Sequence, residues 1–138
     1  MAEIERYDVN EEWAHSGIIK AGDFVFVGYC AAGMELPIEE QINKAFDQME
    51  DRLHFVGLTL ESVVKMDALF GDIRDIPIME KVIKERFHGK YPVRKSFERD
   101  HDGKRSFQVD AIAYKWVTES AIKNSPDRAS GRLCLQRA

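Results

Sequence analysis

The chain has 138 residues, 44% of them hydrophobic, with 24 acidic side chains against 20 Lys and Arg for a net charge of −4. This is the length of one domain with room for a self-sufficient core, and the composition excludes a disordered polar chain and gives no electrostatic pull toward nucleic acid. Two cysteines, Cys30 and Cys134, are too few for a disulfide framework or a thiolate zinc site.

At the N-terminus, Ile4, Arg6 and Asp8 alternate with Glu5, Tyr7 and Val9, the pattern of an edge strand. Trp13–Gly17 reads as a loop. Ile18-Ile19-Lys20 is a short apolar run before a turn at Ala21-Gly22-Asp23, and Phe24-Val25-Phe26-Val27 is the returning strand. A loop is expected from Tyr29 to Gly33. Pro37 then opens a helix over 38–56, because Ile38, Ile42, Ala45, Phe46, Met49, Leu53 and Val56 recur at spacings of three and four. Glu39 and Glu40 suit its first turn, and Gly57 suits the position just past its end.

Within Leu60–Phe70 the alternation predicts a strand with Val64, Met66, Ala68 and Phe70 on one face and Val63, Lys65, Asp67 and Leu69 on the other. Ile76–Phe87 is a second helix with Ile76, Met79, Val82, Ile83 and Phe87 inward, ended by Gly89. Val93–Glu98 is a strand, His101-Asp102-Gly103 is hairpin-turn chemistry, and Phe107–Val117 is the last strand. There Val109, Ala111 and Ala113 point one way, and Gln108, Asp110, Ile112 and Tyr114 the other. The composition of 118–138 predicts a flexible tail, so 1–117 is the expected domain.

The expected fold is therefore α+β, in the order β-β-β-α-β-α-β-β. It is a mixed β-sheet with two helices packed on one face. Ile112 and Val63 leave the other face partly apolar, which points to contact with further subunits and clefts at the seams. No run approaches the ~20 apolar residues of a membrane span. The charged start of the chain lacks a signal-peptide core, so a cytoplasmic location is expected.

Several segments resemble the Rid (YjgF) family of enamine/imine deaminases. They are Ile19–Val27, Glu39-Glu40-Gln41 with the helix after it, Leu60–Met66 followed by Asp72–Asp75, Pro92-Val93-Arg94, and Gln108–Ala113. The resemblance covers about residues 13–115. It implies a chorismate-mutase-like fold and a homotrimer in which the sheets form a central barrel, with clefts between subunits. It also implies hydrolysis of 2-imino or 2-enamino acids to 2-keto acids and ammonia, with no cofactor and no metal.

On that resemblance Arg94 is the clamp for a substrate carboxylate, since a guanidinium offers two parallel hydrogen bonds. Asp110 stands where the family usually has Glu and positions the attacking water. The two are expected on one side of the sheet, sharing one cleft that a neighbouring subunit closes; side chains on opposite sides would remove that mechanism. His15 falls where the family has a loop tyrosine, and histidine exchanges protons near neutral pH. Gly28-Tyr29-Cys30 replaces the usual Ser-Gly-Gln, and Ser96 replaces a frequent Cys, so Tyr29, Cys30 and Ser96 join the expected substrate-binding set. The scaffold matches better than the site, which suits an altered or larger substrate.

Two other readings stay open at this point. One is a non-catalytic trimer that binds small carboxylates; the other is a Rid-fold enzyme recruited to other pathway chemistry. His15, His54, His88 and His101 have no ligand-like spacing. Cys30 beside His15 lacks an orienting third group. Arg128, Arg132 and Arg137 have no aromatic platform beside them for RNA, and no glycine-rich phosphate loop is present.

Overall fold

Three amphipathic patterns meet in one core. The computed structural model describes residues 3–115. Its elements are β1 (Ile4–Asn10), β2 (His15–Ala21), β3 (Phe24–Ala31), α1 (Ile38–Phe55), β4 (Val63–Phe70), α2 (Ile76–Arg86), β5 (Val93–Glu98) and β6 (Phe107–Tyr114). The strands form one sheet in the order β1-β2-β3-β6-β4-β5. β4 and β5 run parallel, and every other neighbouring pair is antiparallel. This is the expected mixed sheet with both helices on one face. No described helix is long and apolar enough to cross a membrane. The expected tail over 118–138 lies outside the described residues.

The covered face carries the core. The α1 stripe, Ile38, Ile42, Ala45, Phe46, Met49 and Leu53, is buried against Val25, Val27, Val109, Ala111 and Ala113 of the sheet. Gln41 is also buried; its amide donates to the carbonyls of Leu36 and Arg105, tying α1 to the segment entering β6. Gly57, with φ +78°, follows α1, and its N–H bonds the His54 carbonyl at 3.0 Å. From α2, Met79, Val82, Ile83 and Phe87 are buried, while Ile76 is half-buried at the core's rim.

Five expectations need correction. The stretch expected as a loop over Trp13–Gly17 is half strand, because β2 begins at His15 and pairs with Asn10 of β1. The expected loop at Tyr29 is strand too. β3 runs on to Ala31, and a register shift between Val27 and Cys30 re-phases it on β6. In β4 a second shift between Val63 and Lys65 pushes Val64 outward and turns Val63 into the core, the reverse of the simple alternation. Leu60–Ser62 forms a 3-10 turn instead of strand.

The fifth correction is topological. The 101–103 turn closes locally, with Lys104 N–H on the His101 carbonyl at 3.0 Å. It does not join paired strands: β4 lies between β5 and β6, so the connection crosses over β4. Turn chemistry specifies the reversal and not the neighbour.

Phe46 is fully buried between Phe87 and Phe107, at ring-centroid distances of 5.7 and 6.0 Å. Phe46→Ala should destabilise the fold by about 3–5 kcal/mol, read as a lowered urea midpoint.

Candidate functional site

Strict alternation along β6 decides which groups face outward. Phe107, Val109, Ala111 and Ala113 are buried toward the helices, so Gln108, Asp110, Ile112 and Tyr114 point to the uncovered face. Across the β4 pairing Asp110 stands opposite Asp67, and Ile112 opposite Lys65. Phe24, Phe26, Val64, Phe97 and Tyr114 are large exposed apolar residues on or beside this face. A cavity of about 330 Å³ opens among them, lined by Ile19, Phe26, Lys65, Asp67 and Asp110. A second, of about 270 Å³, continues from the same two carboxylates toward Tyr29, Phe97 and Gln108.

Asp110 holds its proton above the ordinary carboxylate range. Partial burial is the larger cause and the charge of Asp67 the next; a backbone hydrogen bond from Asp67 and the charge of Lys65 pull the other way. Lys65 Nζ lies 4.0 Å from Asp67 Oδ2. Asp67 Oδ1 is sealed from solvent without a hydrogen-bond partner.

The neighbouring cavity, of about 350 Å³, contains His15, Tyr29, Gln48 and Arg52. The His15 and Tyr29 rings are 6.1 Å apart. Arg52 and Gln48, four residues apart on α1, fasten the shifted end of β3. The Arg52 guanidinium donates to the carbonyls of Gly28 and Tyr29 at 3.0 Å each, and Gln48 accepts from the Ala31 N–H at 3.1 Å. The shift withdraws these groups from the sheet ladder, and the helix supplies the missing partners. A Cβ on Gly28 would lie 3.1 Å from the Ser16 carbonyl oxygen, so this close strand approach favours glycine over the family's serine.

Cys30 sits under the cavities, not in them. It is fully buried, opposite Val109 on the helix-covered face. Burial pushes its thiol up to about 11 despite the opposing pull of Arg52.

Arg94 and Ser96 also lie on the covered face. In the parallel pairing they stand beside Met66 and Ala68, both core residues. The Arg94 guanidinium bonds Glu80 of α2 at 2.7 Å, in a groove formed with Ile83, Tyr91 and Pro92. Ser96 Oγ is buried without a partner. Arg94 and Asp110 therefore face opposite sides of the sheet, and within one chain they do not share a cleft. The register of β5 on β4 decides this.

Pattern reading missed Asp67, Lys65, Gln48 and Arg52. The first two were visible as the polar half of β4's alternation. The last pair was visible only as an i,i+4 couple beside the α1 stripe.

No family model matches the chain. A RutC family protein of Pyrococcus abyssi is 30% identical over 109 residues, spanning 73% of this chain and 86% of that protein. The chain belongs to the Rid/YjgF (RutC) family. A solved structure of a yjgF family member from Streptococcus pyogenes is 51% identical with a TM-score of 0.78, over 85% of this chain and all of that one. A YjgF family structure from Neisseria meningitidis shares the fold at 18% identity, with a TM-score of 0.72 over 84% of this chain and 98% of that one. The Rid/YjgF assignment rests on the chain matching along nearly all of the described residues.

Two outcomes follow. Cys30 should stay unmodified by iodoacetamide at neutral pH in the native protein and react after denaturation, as read by peptide mass mapping. Because the folded state holds the Asp110 proton more tightly than the unfolded chain does, this group's contribution to stability is greatest below the unfolded pKa. It falls as pH rises through the folded one. Asp110→Asn should remove that decline, so the variant's urea midpoint should gain on wild type between acid and neutral pH.

Proposed function

We propose that this Rid/YjgF protein hydrolyses the C=N bond of small 2-imino or 2-enamino acids to 2-keto acids and ammonia. The observation that carries the reading is Asp110, an acid with raised proton affinity in an apolar cavity, at the strand position that matches the family's acid. A carboxylate there takes a proton from water as its oxygen attacks the imine carbon, and returns it to the leaving nitrogen. Raised proton affinity makes it the stronger base. No cofactor enters this chemistry.

The opposed faces of Arg94 and Asp110 bear on the assembly. For one substrate to meet both, they must come from different copies of the chain. Among the described residues β5 is an outer strand bonded only to β4, so its edge can bring Arg94 to a neighbour. The exposed apolar side chains of the uncovered face provide surface for that neighbour to bury. We read the assembly as a homotrimer with Asp110, Tyr29 and His15 from one subunit and Arg94 from the next, while the buried Ser96 Oγ lies away from the cleft. The Arg94–Glu80 pair is only half-buried, and opening it costs about 1 kcal/mol or less.

Wild type supplied with 2-iminopropionate generated in situ should release pyruvate faster than buffer does. Asp110→Asn should lower kcat more than it changes KM. Arg94→Lys keeps charge but loses the planar fork, and should weaken binding by about 1–3 kcal/mol. Mixing refolded Arg94→Ala and Asp110→Asn chains should restore about a quarter of the sites, because random trimers place an intact Arg94 beside an intact Asp110 at that frequency. No restoration on mixing would leave both groups needed within one chain and overturn the shared cleft. Binding of 2-keto acids with no turnover at all would favour the carboxylate-binding reading. Light scattering should give about three chain masses.

A further inference from the structure

β4 and β6 set two carboxylates face to face on the uncovered side, Asp67 opposite Asp110. Like charges directly across a strand pair destabilise a sheet. One of these oxygens, Asp67 Oδ1, is sealed from water and has no donor. A carboxylate oxygen in that position costs free energy unless something hydrogen-bonds it. Lys65 does not relieve it, since its Nζ stands off the other oxygen, Oδ2, at 4.0 Å. One proton on the pair relieves the first cost, because it cancels one of the two facing charges.

We propose that Asp67 and Asp110 hold one proton between them, with Asp67 the positioning residue and Asp110 the group that meets water. This rests on the reading of Asp110 as the acid–base residue. The other groups that face the pair fit the assignment. Lys65 comes from β4 and Lys95 from β5, where it stands in register with Asp67. From β3, Tyr29 lines the adjoining cavity and Cys30 lies beneath, while β2 brings the uncharged Ser16 and Ile19. Lys65 favours one negative charge on the pair; the second is the one a proton replaces.

The pair fits the reaction step by step. Water adds to the imine carbon, its O–H bond passes a proton to one carboxylate oxygen of Asp110, and the shared proton leaves the other oxygen of Asp110 for nitrogen, so Asp67 itself touches neither water nor substrate. The resulting carbinolamine carries OH and NH₂ on one carbon. In collapse the OH proton goes to the pair, the C–N bond breaks, and nitrogen leaves with a proton from the pair as ammonia. The pair ends with the one proton it began with, and one water has been consumed. A single carboxylate must finish its first transfer before it can serve the nitrogen; a pair presents base and acid together.

The experiment is carboxyl carbon-13 NMR titration of the full chain labelled at aspartate. In wild type, Asp67 and Asp110 should titrate as a coupled pair in two steps. Asp67→Ala removes the charge without adding a donor. It should leave Asp110 titrating in one step with lower proton affinity than in wild type. Asp67→Asn should do the same if the fold tolerates only the isosteric change. Lys65→Met should move Asp110 in the opposite direction. An Asp110 titration unchanged in both Asp67 variants, with circular dichroism showing both folded, would overturn the pair. The acid limb of the kcat/KM profile should shift with the titration. If wild type hydrolyses no imino acid, the deaminase reading fails, while the titration still decides whether the two carboxyls share a proton.

Discussion

The last strand of the fold is hydrogen-bonded on both sides, by β3 and by β4, and its side chains can only alternate. Phe107, Val109, Ala111 and Ala113 must then meet the helices, and their sizes suit that. The two alanines admit α1 closely, and Phe107 packs on Phe46 and Phe70. With that face committed, Asp110 has nowhere to point except the uncovered side. A one-residue slip of β6 would put its carboxylate into the core and Val109 into the cavity. The apolar half of this strand thus fixes the position of its polar half.

The same constraint, applied to β5, separates the two groups the family chemistry asks for. Parallel pairing with β4 carries Arg94 beside Met66, onto the side where α2 packs and Glu80 receives it. The guanidinium and the carboxylate are divided by the thickness of the sheet. The distance cannot close by side-chain motion, because the backbone ladder lies between them. A single ligand that meets both groups needs more than one copy of the chain, for a reason that lies inside a single chain.

The uncovered face also bears a stability cost. In a single chain it leaves several large apolar side chains exposed and sets Asp67 against Asp110, each of which a fold under no functional demand would avoid. The helices offset local irregularity elsewhere. Where β3 shifts register at Gly28 and Tyr29, α1 lends Arg52 and Gln48 to the loosened backbone. Cys30 is drawn into the core at the same point, which takes its thiol out of reach and leaves Tyr29 to line the cavity.

By itself the sequence determined the two helices, the strand order along the chain, the α+β class and the outward side of β6. These depend on periodicity and on local signals such as Pro37 and Gly57. It also carried the family, because the resembling segments lie in the strands and turns that build the sheet. Only the tertiary structure decided that β6 enters between β3 and β4. A turn at His101–Gly103 reverses the chain without naming the strand it will pair with. The register shifts at Val64 and after Val27 were likewise hidden, since an extra residue in a strand leaves composition and alternation almost unchanged while it reverses every facing beyond it. Arg94 and Asp110 were both legible as residues, and their separation was not. Facing is a property of the pairing between strands, and pairing is settled by contacts between distant parts of the chain.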